Sequence, residues 1–380
     1  MLLKSRKKCY DLAMKYLAVL GRQPKISLAE LESLFTRVEP HSPALATFFS
    51  DQTPDINRLG GTLKLAEALP EGINYLVDSL ANLPEGKITL GVSDFRKNAT
   101  ARKAGAEALK LKKLLTRRGR SVRVLENKTA VLSTATSHHN QIAEKQNRLE
   151  IILTDFGNFN VIGVQNITAY KNRDQARPYR DAKVGMLPPK LAQILINLCG
   201  PLPKSAKILD PFCGTGVVLQ EAFLMGYVPY GTDLEPRMVD YSRKNLDWLG
   251  CANYTLEQGD ATTKKWQQPI DAVAAEAFLG QPMSTPPAQI KLKQEKERCR
   301  TIILGFLKNL SSQAEQNTPV VLAVPAWLRE GGTYSRLNLL DEVEKLGYNV
   351  KKFINVGSED LLYYREGQVV ARDIIVLRKK

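Results

Sequence analysis

The chain has 380 residues, longer than one ordinary domain, so two or three domains are expected. Apolar residues make up 43% and charged residues 24%, the proportions of a soluble globular protein, which excludes collagen-like, low-complexity and disordered acidic chains. Lys and Arg outnumber Asp and Glu to leave a net charge of +15, so a polyanionic partner is the first class to consider.

No stretch reaches the ~18 uninterrupted apolar residues of a membrane span. The N-terminus, MLLKSRKKCYDLAMK, starts basic, but Asp11 and Lys15 interrupt any apolar run, so no signal peptide is expected. Cys9, Cys199, Cys213, Cys251 and Cys299 form no CxxC pair and the chain has three histidines. Neither a disulfide framework nor a metal site is expected, and a cytoplasmic location fits.

In chain order, KYLAVLG reads as a strand. Ser27 and Glu30 have the spacing of a capping box, which predicts a helix starting at Ser27. Gly60-Gly61 predicts a turn, followed by a second apolar segment. KITLGVS and SVRVLE read as strands flanking a basic helix, and EIILTDFGNFNVIGVQ as a hairpin around Gly157-Asn158. Residues 165–186, polar and basic, read as a linker. LPPKLAQILINLCG then predicts a helix with proline in its first turn. After it, strands are expected at 206–210, 228–233, 253–258, 271–276, 320–325, 349–357 and 369–379, with helices between them. Seven strands in that alternation predict an α/β layer structure with a largely parallel sheet. LLYYREGQ is too short for a helical crossover, so the last strand should run antiparallel.

The charge is uneven. Between Lys87 and Glu150 there are 15 basic and 5 acidic residues. Lys103, Lys110, Lys112, Lys113, Arg117, Arg118 and Arg120 fall in the densest stretch and are candidate phosphate contacts, with Arg177 in the linker as another. A solvated helix surface explains a run of this kind equally well. Arg173 and Arg180 could touch phosphate or pair with neighbouring acids.

The run KILDPFCGTGVVLQEAFLMG carries the chemistry. A buried strand ends at Asp210, a tight loop follows with Gly214 and Gly216, and a helix begins. An acid at the loop entrance would repel a pyrophosphate but suits an ammonium group. Asp233 lies 23 residues on, at the end of the next strand, where a carboxylate can accept ribose hydroxyls. Asp260 follows the third strand, within reach of an adenine amino group. Three acids at successive strand ends beside a glycine loop describe a site for S-adenosylmethionine, to which Pro211, Phe212, Leu234 and Ala261 are adjacent.

DPFCGTG, GTDLEP and GDAT resemble the cofactor motifs of class I methyltransferases. RPYRDAKVGMLPPKLAQILINL, LGRQPKISLAELESL, RLGGTLKLAEAL, GRSVRVLENKTAVLSTATSHHN and YYREGQVVARDIIVL resemble segments of the THUMP-containing tRNA guanosine-N2 methyltransferases that act at position ten. The resemblance implies a ferredoxin-like domain at 1–85, a THUMP RNA-binding domain at 86–164, a linker at 165–186 and a Rossmann-like methyltransferase domain at 187–380. It further implies a tRNA partner and a guanine amino group as methyl acceptor. A monomer without metal or membrane partner is expected.

A guanine amine is a poor nucleophile, because its lone pair is delocalised into the ring. Amine methyltransferases hold it with Asp/Asn-Pro-Pro-aromatic at the end of the fourth strand. Here the chain departs from that pattern: Glu276 stands for the acid, Ala277 replaces a proline, and Phe278 or Leu279 must be the platform. Losing that proline predicts a less rigid loop. Three readings stay open: a working variant with Glu276 and Phe278 in the catalytic roles, an altered base preference, or a protein that binds RNA and cofactor without turnover. A DNA or rRNA amino-methyltransferase is the competing enzyme class. Lys190 has a counterpart in the family. His138, His139 and Cys213 are expected to pack rather than react.

Overall fold

The computed structural model describes residues 13–69, 73–181 and 187–380; the basic N-terminal run with Cys9, and the end of the linker, lie outside these. The chain divides into two compact units. Unit one comprises residues 1–24, 35–57 and 62–169, and unit two residues 25–34, 58–61 and 170–380.

Unit one holds one eight-stranded sheet in the order β2-β3-β1-β4-β8-β7-β5-β6. Its strands are β1 (Met14–Leu20), β2 (Thr36–Ser42), β3 (Leu45–Ser50), β4 (Thr62–Ala68), β5 (Ile88–Asp94), β6 (Val122–Val124), β7 (Arg148–Thr154) and β8 (Gly157–Val164). Strands from either side of residue 85 share the sheet, because β4 pairs antiparallel with β8 from Lys64↔Val164 to Ala68↔Phe159. The hairpin between β7 and β8 closes at Asp155-Phe156, two residues before the expected turn, with Thr154 paired to Gly157. One buried cluster joins α2 (Ile73–Ala81) and α3 (Ala101–Arg117) to β5, β6 and β7 through Leu76, Leu80, Ala108, Leu111, Leu115 and Ile151. α3 starts where Thr100 caps the Lys103 amide, and it buries Ala104, Ala108, Leu111 and Leu115, a stripe at helical spacing. α4 (Thr134–His139) is likewise capped by Ser133.

Unit two is a Rossmann-like α/β layer, as expected. Its main sheet order is β11-β10-β9-β12-β13-β17-β15. The strands are β9 (Lys207–Asp210), β10 (Val228–Asp233), β11 (Thr255–Gln258), β12 (Ala272–Glu276), β13 (Pro319–Leu328), β15 (Tyr348–Val350) and β17 (Val370–Lys379), with short β14 (Tyr334–Ser335) and β16 (Leu362–Tyr363) at the margin. β9 to β13 run parallel, and β17 lies antiparallel between β13 and β15. The helices are α1 (Pro24–Leu34), α5 (Ile167–Gln175), α6 (Pro189–Leu198), α7 (Val217–Leu224), α8 (Pro236–Trp248), α9 (Gln289–Ser311) and α10 (Leu340–Lys345). A large apolar cluster lies at its core: Leu209, Val273, Ala275, Val320, Leu322, Ile303, Phe306 and Trp327 are all buried. Among the described residues, no helix is long and apolar enough to cross a membrane.

Three expectations are corrected. α1 begins at Pro24 rather than Ser27, and Ser27 and Glu30 make no capping box. Instead the Ser27 hydroxyl donates to the Gly61 carbonyl, and Glu30 accepts from the Gly60 and Gly61 amides at 2.9 and 2.8 Å. The linker contains a helix, α5. The strand expected over 349–357 stops at Val350, and the segment continues as a loop whose Ile354 and Asn355 amides donate to Glu32.

Candidate functional site

Four carboxylates stand at the carboxyl ends of adjacent strands: Asp210 ends β9, Asp233 ends β10, Asp260 follows β11 and Glu276 ends β12. This is the edge on which open α/β sheets bind ligands. Asp210 is 2% exposed, and its Oδ1 accepts the Phe212 amide at 3.1 Å. Burial pushes its carboxyl well up, and the nearby Asp233 and Glu276 push the same way. Among the described residues, no cation lies within ion-pairing distance of it.

The loop after Asp210 turns back through two left-handed glycines, Gly214 at φ 51° and Gly216 at φ 80°. A Cβ on Gly216 would sit 2.8 Å from the Ser242 Oγ, so no other residue fits there without displacing α8. The loop is held from several sides. The Gly214 amide donates to Asp233 Oδ2 at 2.9 Å, the Ser242 hydroxyl to the Gly214 carbonyl at 2.8 Å, and the Asn245 amide to the Thr215 carbonyl at 2.9 Å. Asn245 also exchanges hydrogen bonds with the Tyr179 backbone, which ties that residue to the same side chain that holds the loop. Ser242 and Asn245, one turn apart on α8, brace the loop and were missed by sequence reasoning; their i,i+3 spacing was the available signal.

Asp233 also accepts the Glu235 amide through Oδ1, and burial raises its pKa. Leu234 beside it is an exposed apolar side chain, 61% accessible. Asp260 is exposed; its Oδ1 receives the Thr262 amide and hydroxyl, so the loop's own bonding runs through that oxygen and leaves Oδ2 to face a ligand. Pro211 and Ala261 are buried, and the half-buried Phe212 ring meets Phe306 edge-on at 5.3 Å. Cys213 is buried and burial pushes its thiol far up, so it is no nucleophile.

Glu276 departs most from expectation, because it is paired: Arg372 Nε donates to its Oε1 at 2.7 Å. Burial raises the Glu276 carboxyl and Arg372 pulls it back down. The loop after it is firmer than the missing proline predicts. The Ala277 amide donates to the Ala323 carbonyl at 3.0 Å, extending the strand, and the Gln281 amide donates to Glu295. A proline at 277 would delete the first of these bonds. Phe278 is half-buried against the core, with the Arg298 guanidinium 5.0 Å from its ring centre.

The candidate phosphate contacts divide. Lys103, Lys110, Lys113 and Arg117 fall on one face of α3, away from its buried stripe, and Lys112 is exposed elsewhere on the helix. Lys103 donates to the Asn98 carbonyl, Lys110 lies 3.9 Å from Glu107, and Arg118 pairs with Asp78 at 2.7 Å. Arg120 instead ties down a loop, donating to the Ala81, Leu83 and Pro84 carbonyls. Arg177 is turned inward, 2% exposed, with no hydrogen-bond partner on its three nitrogens among the described residues. Arg173 pairs with the buried Glu221, Arg180 donates to the Gln175 carbonyl, and Lys190 lies over the Tyr170 ring. His138 bonds Thr168 and stands beside His139.

Residues 202–325 match the sequence family of the methyltransferase domain. That stretch contains all four strand-end carboxylates. The chain is 32% identical over 157 residues to a tRNA (guanine(10)-N2)-dimethyltransferase of Methanothermobacter thermautotrophicus, covering 41% of this chain and 44% of that one. It is 35% identical over 125 residues to the enzyme of the same name from Pyrococcus abyssi, covering 32% and 37%. The matches thus span less than half the length of these relatives. Among solved structures, TrmN from Thermus thermophilus aligns over 97% of this chain and all of its own at 17% identity, with a TM-score of 0.47.

Proposed function

We propose that this protein is an S-adenosylmethionine-dependent methyltransferase that modifies the exocyclic N2 of a guanosine in tRNA. The observation that carries the reading is Asp210: a buried carboxylate with no cation of its own, among further carboxylates, at the mouth of a glycine loop. Such an arrangement is electrostatically incomplete, and a ligand with an ammonium and a sulfonium completes it. The names of the relatives support the tRNA substrate and the N2 position.

S-adenosylmethionine supplies, when bound, a methyl group made electrophilic by the sulfonium. Asp210 would take the ammonium, directly or through water, and the Gly214–Gly216 loop would let the backbone approach. Asp233 keeps lone pairs for the ribose hydroxyls, Asp260 Oδ2 would reach the adenine amine, and Leu234 would pack on the adenine. Pro211, Phe212 and Ala261 form the walls. Glu276 would accept an N–H from the guanine amine, turning its lone pair toward the methyl, and Phe278 would hold the base flat. Lys103, Lys110, Lys112, Lys113, Arg117 and Arg118 would meet phosphate. Residues 1–85 and 86–164 would serve as the ferredoxin-like and THUMP parts that grip the RNA.

The test is transfer of labelled methyl from S-adenosylmethionine to unmodified tRNA, followed by nucleoside mass spectrometry. N2-methylated guanosine is the expected product. Methylation of another base, or of DNA or rRNA instead, would replace the reading, and cofactor binding without transfer to any nucleic acid would leave an RNA-binding protein.

A further inference from the structure

Arg372 stands in the cleft with no part in the chemistry proposed above. It is the third residue of β17, and because β17 runs antiparallel, its start lies at the same sheet edge as the end of β12. There its Nε meets Glu276, the two side chains being 5% and 16% exposed. A guanidinium carries five N–H donors, and a purely structural arginine–carboxylate pair gains most by a two-bond fork. Arg372 makes one bond, through Nε, and among the described residues its two terminal nitrogens have no hydrogen-bond partner. Arg378 on the same strand differs: its two terminal nitrogens donate to the Asn317 and Cys199 carbonyls at 3.1 and 2.9 Å. The side chain is largely buried, yet its terminal nitrogens are not among the fully buried unpartnered atoms and so reach solvent, where they can donate to an acceptor that enters beside Glu276.

We propose that Arg372 is a specificity-determining residue that reads the target base together with Glu276. This rests on the reading that Glu276 receives a base amine. The pair presents a donor followed by two acceptor oxygens. The Watson–Crick edge of guanine presents the complement: the O6 acceptor, then the N1–H and N2–H donors. Adenine sets an N6 amine against the arginine and an unprotonated N1 against the carboxylate, and cytosine fails in the same two places. Each mismatch leaves buried polar groups unpaired, which discriminates more strongly than pocket shape. Glu276 at the place of the usual Asp or Asn gains a purpose here, since its length lets it meet the arginine and still face the base.

The experiment uses the full chain, S-adenosylmethionine and two tRNAs that differ at the methylated position: guanosine in one, 2,6-diaminopurine in the other. Both carry the 2-amine, but the second has an amine in place of O6 and no proton on N1. The wild type should prefer guanosine, and R372M should narrow the kcat/KM ratio about tenfold or more, chiefly by slowing the guanosine substrate. Equal reductions on both substrates would overturn the proposal, because losing a donor to O6 must cost the guanosine substrate more than one that carries an amine there. Calorimetric cofactor binding reports whether each variant is folded. If R372M does not fold, R372K, which keeps the cation, decides: a ratio narrowed several-fold supports the proposal and an unchanged ratio overturns it. A wild type that methylates neither RNA overturns the underlying reading and this proposal together, whereas a wild type active on guanosine isolates Arg372.

Discussion

Two buried carboxylates of unit two, Glu30 and Asp210, each sit beside a pair of glycines, yet they do different work. Glu30 is fully enclosed and accepts from the Gly60 amide, the Gly61 amide and the Asn197 side chain. Its environment is closed: three donors converge on it and the turn is locked to α1 and α6. Asp210 is almost as fully enclosed but accepts one amide, that of Phe212, and repels its neighbours. The difference teaches that burial does not mark a binding acid. What marks it is burial with its hydrogen bonds and countercharge unfilled.

The comparison can be broken by removing each acid. Glu30→Ala strands three buried donors and should cost about 3 kcal/mol or more in urea unfolding, with cofactor affinity retained by whatever remains folded. Asp210→Ala should leave stability within about 1 kcal/mol of wild type, since it removes a repelling buried charge. Equal destabilisation of the two variants would end the distinction. The pH dependence sharpens it. Burial pushes the Glu30 carboxyl from 4.5 up to about 7 in the folded protein, against the pull of its three donors. The folded state therefore binds that proton more tightly than the unfolded state. The contribution is complete below the unfolded value and disappears as pH rises through the folded one. Wild-type unfolding free energy should decline by up to about 3 kcal/mol across that window, and Glu30→Ala should remove this part of the slope.

Smaller effects test the loop and the basic helix. Ser242→Ala removes the bond to the Gly214 carbonyl and should weaken cofactor binding about fivefold through a looser loop, with little change in melting temperature. Replacing Lys110, Lys113 and Arg117 by Gln should flatten the salt dependence of tRNA binding by about 0.7–0.9 in log–log slope for every phosphate the helix no longer neutralises. An unchanged slope would move the footprint off α3.

The carboxylate row was legible in the sequence because its parts are local. Asp210, Asp233 and Glu276 each end a strand, Asp260 follows one by two residues, and the glycines that shape the loop lie within six residues of Asp210. Strands β9, β10, β12, β13 and β17 of unit two were equally plain, being largely apolar runs of four to ten residues. What the sequence hid was tertiary. Glu276 and Arg372 are 96 positions apart, and no spacing rule connects them. Ser27 and Glu30 imitated a capping box because Ser and Glu have the right polar atoms for one, but the turn at Gly60 and Gly61 offered better-buried partners. β2 was missed because TRVEPHS is almost wholly exposed, so no apolar alternation betrays it. Ala277 read as a defect beside the proline pattern, since the backbone bond that replaces proline's stiffness forms only when β13 lies alongside.

The most direct test of the central claim, that an unneutralised carboxylate cleft holds a cationic methyl donor, is a calorimetric titration of S-adenosylmethionine into the wild type and Asp210→Asn. The substitution keeps the shape and removes the charge. The account requires affinity to fall about a hundredfold in the variant while its melting temperature is maintained. Equal dissociation constants in the two proteins would contradict it.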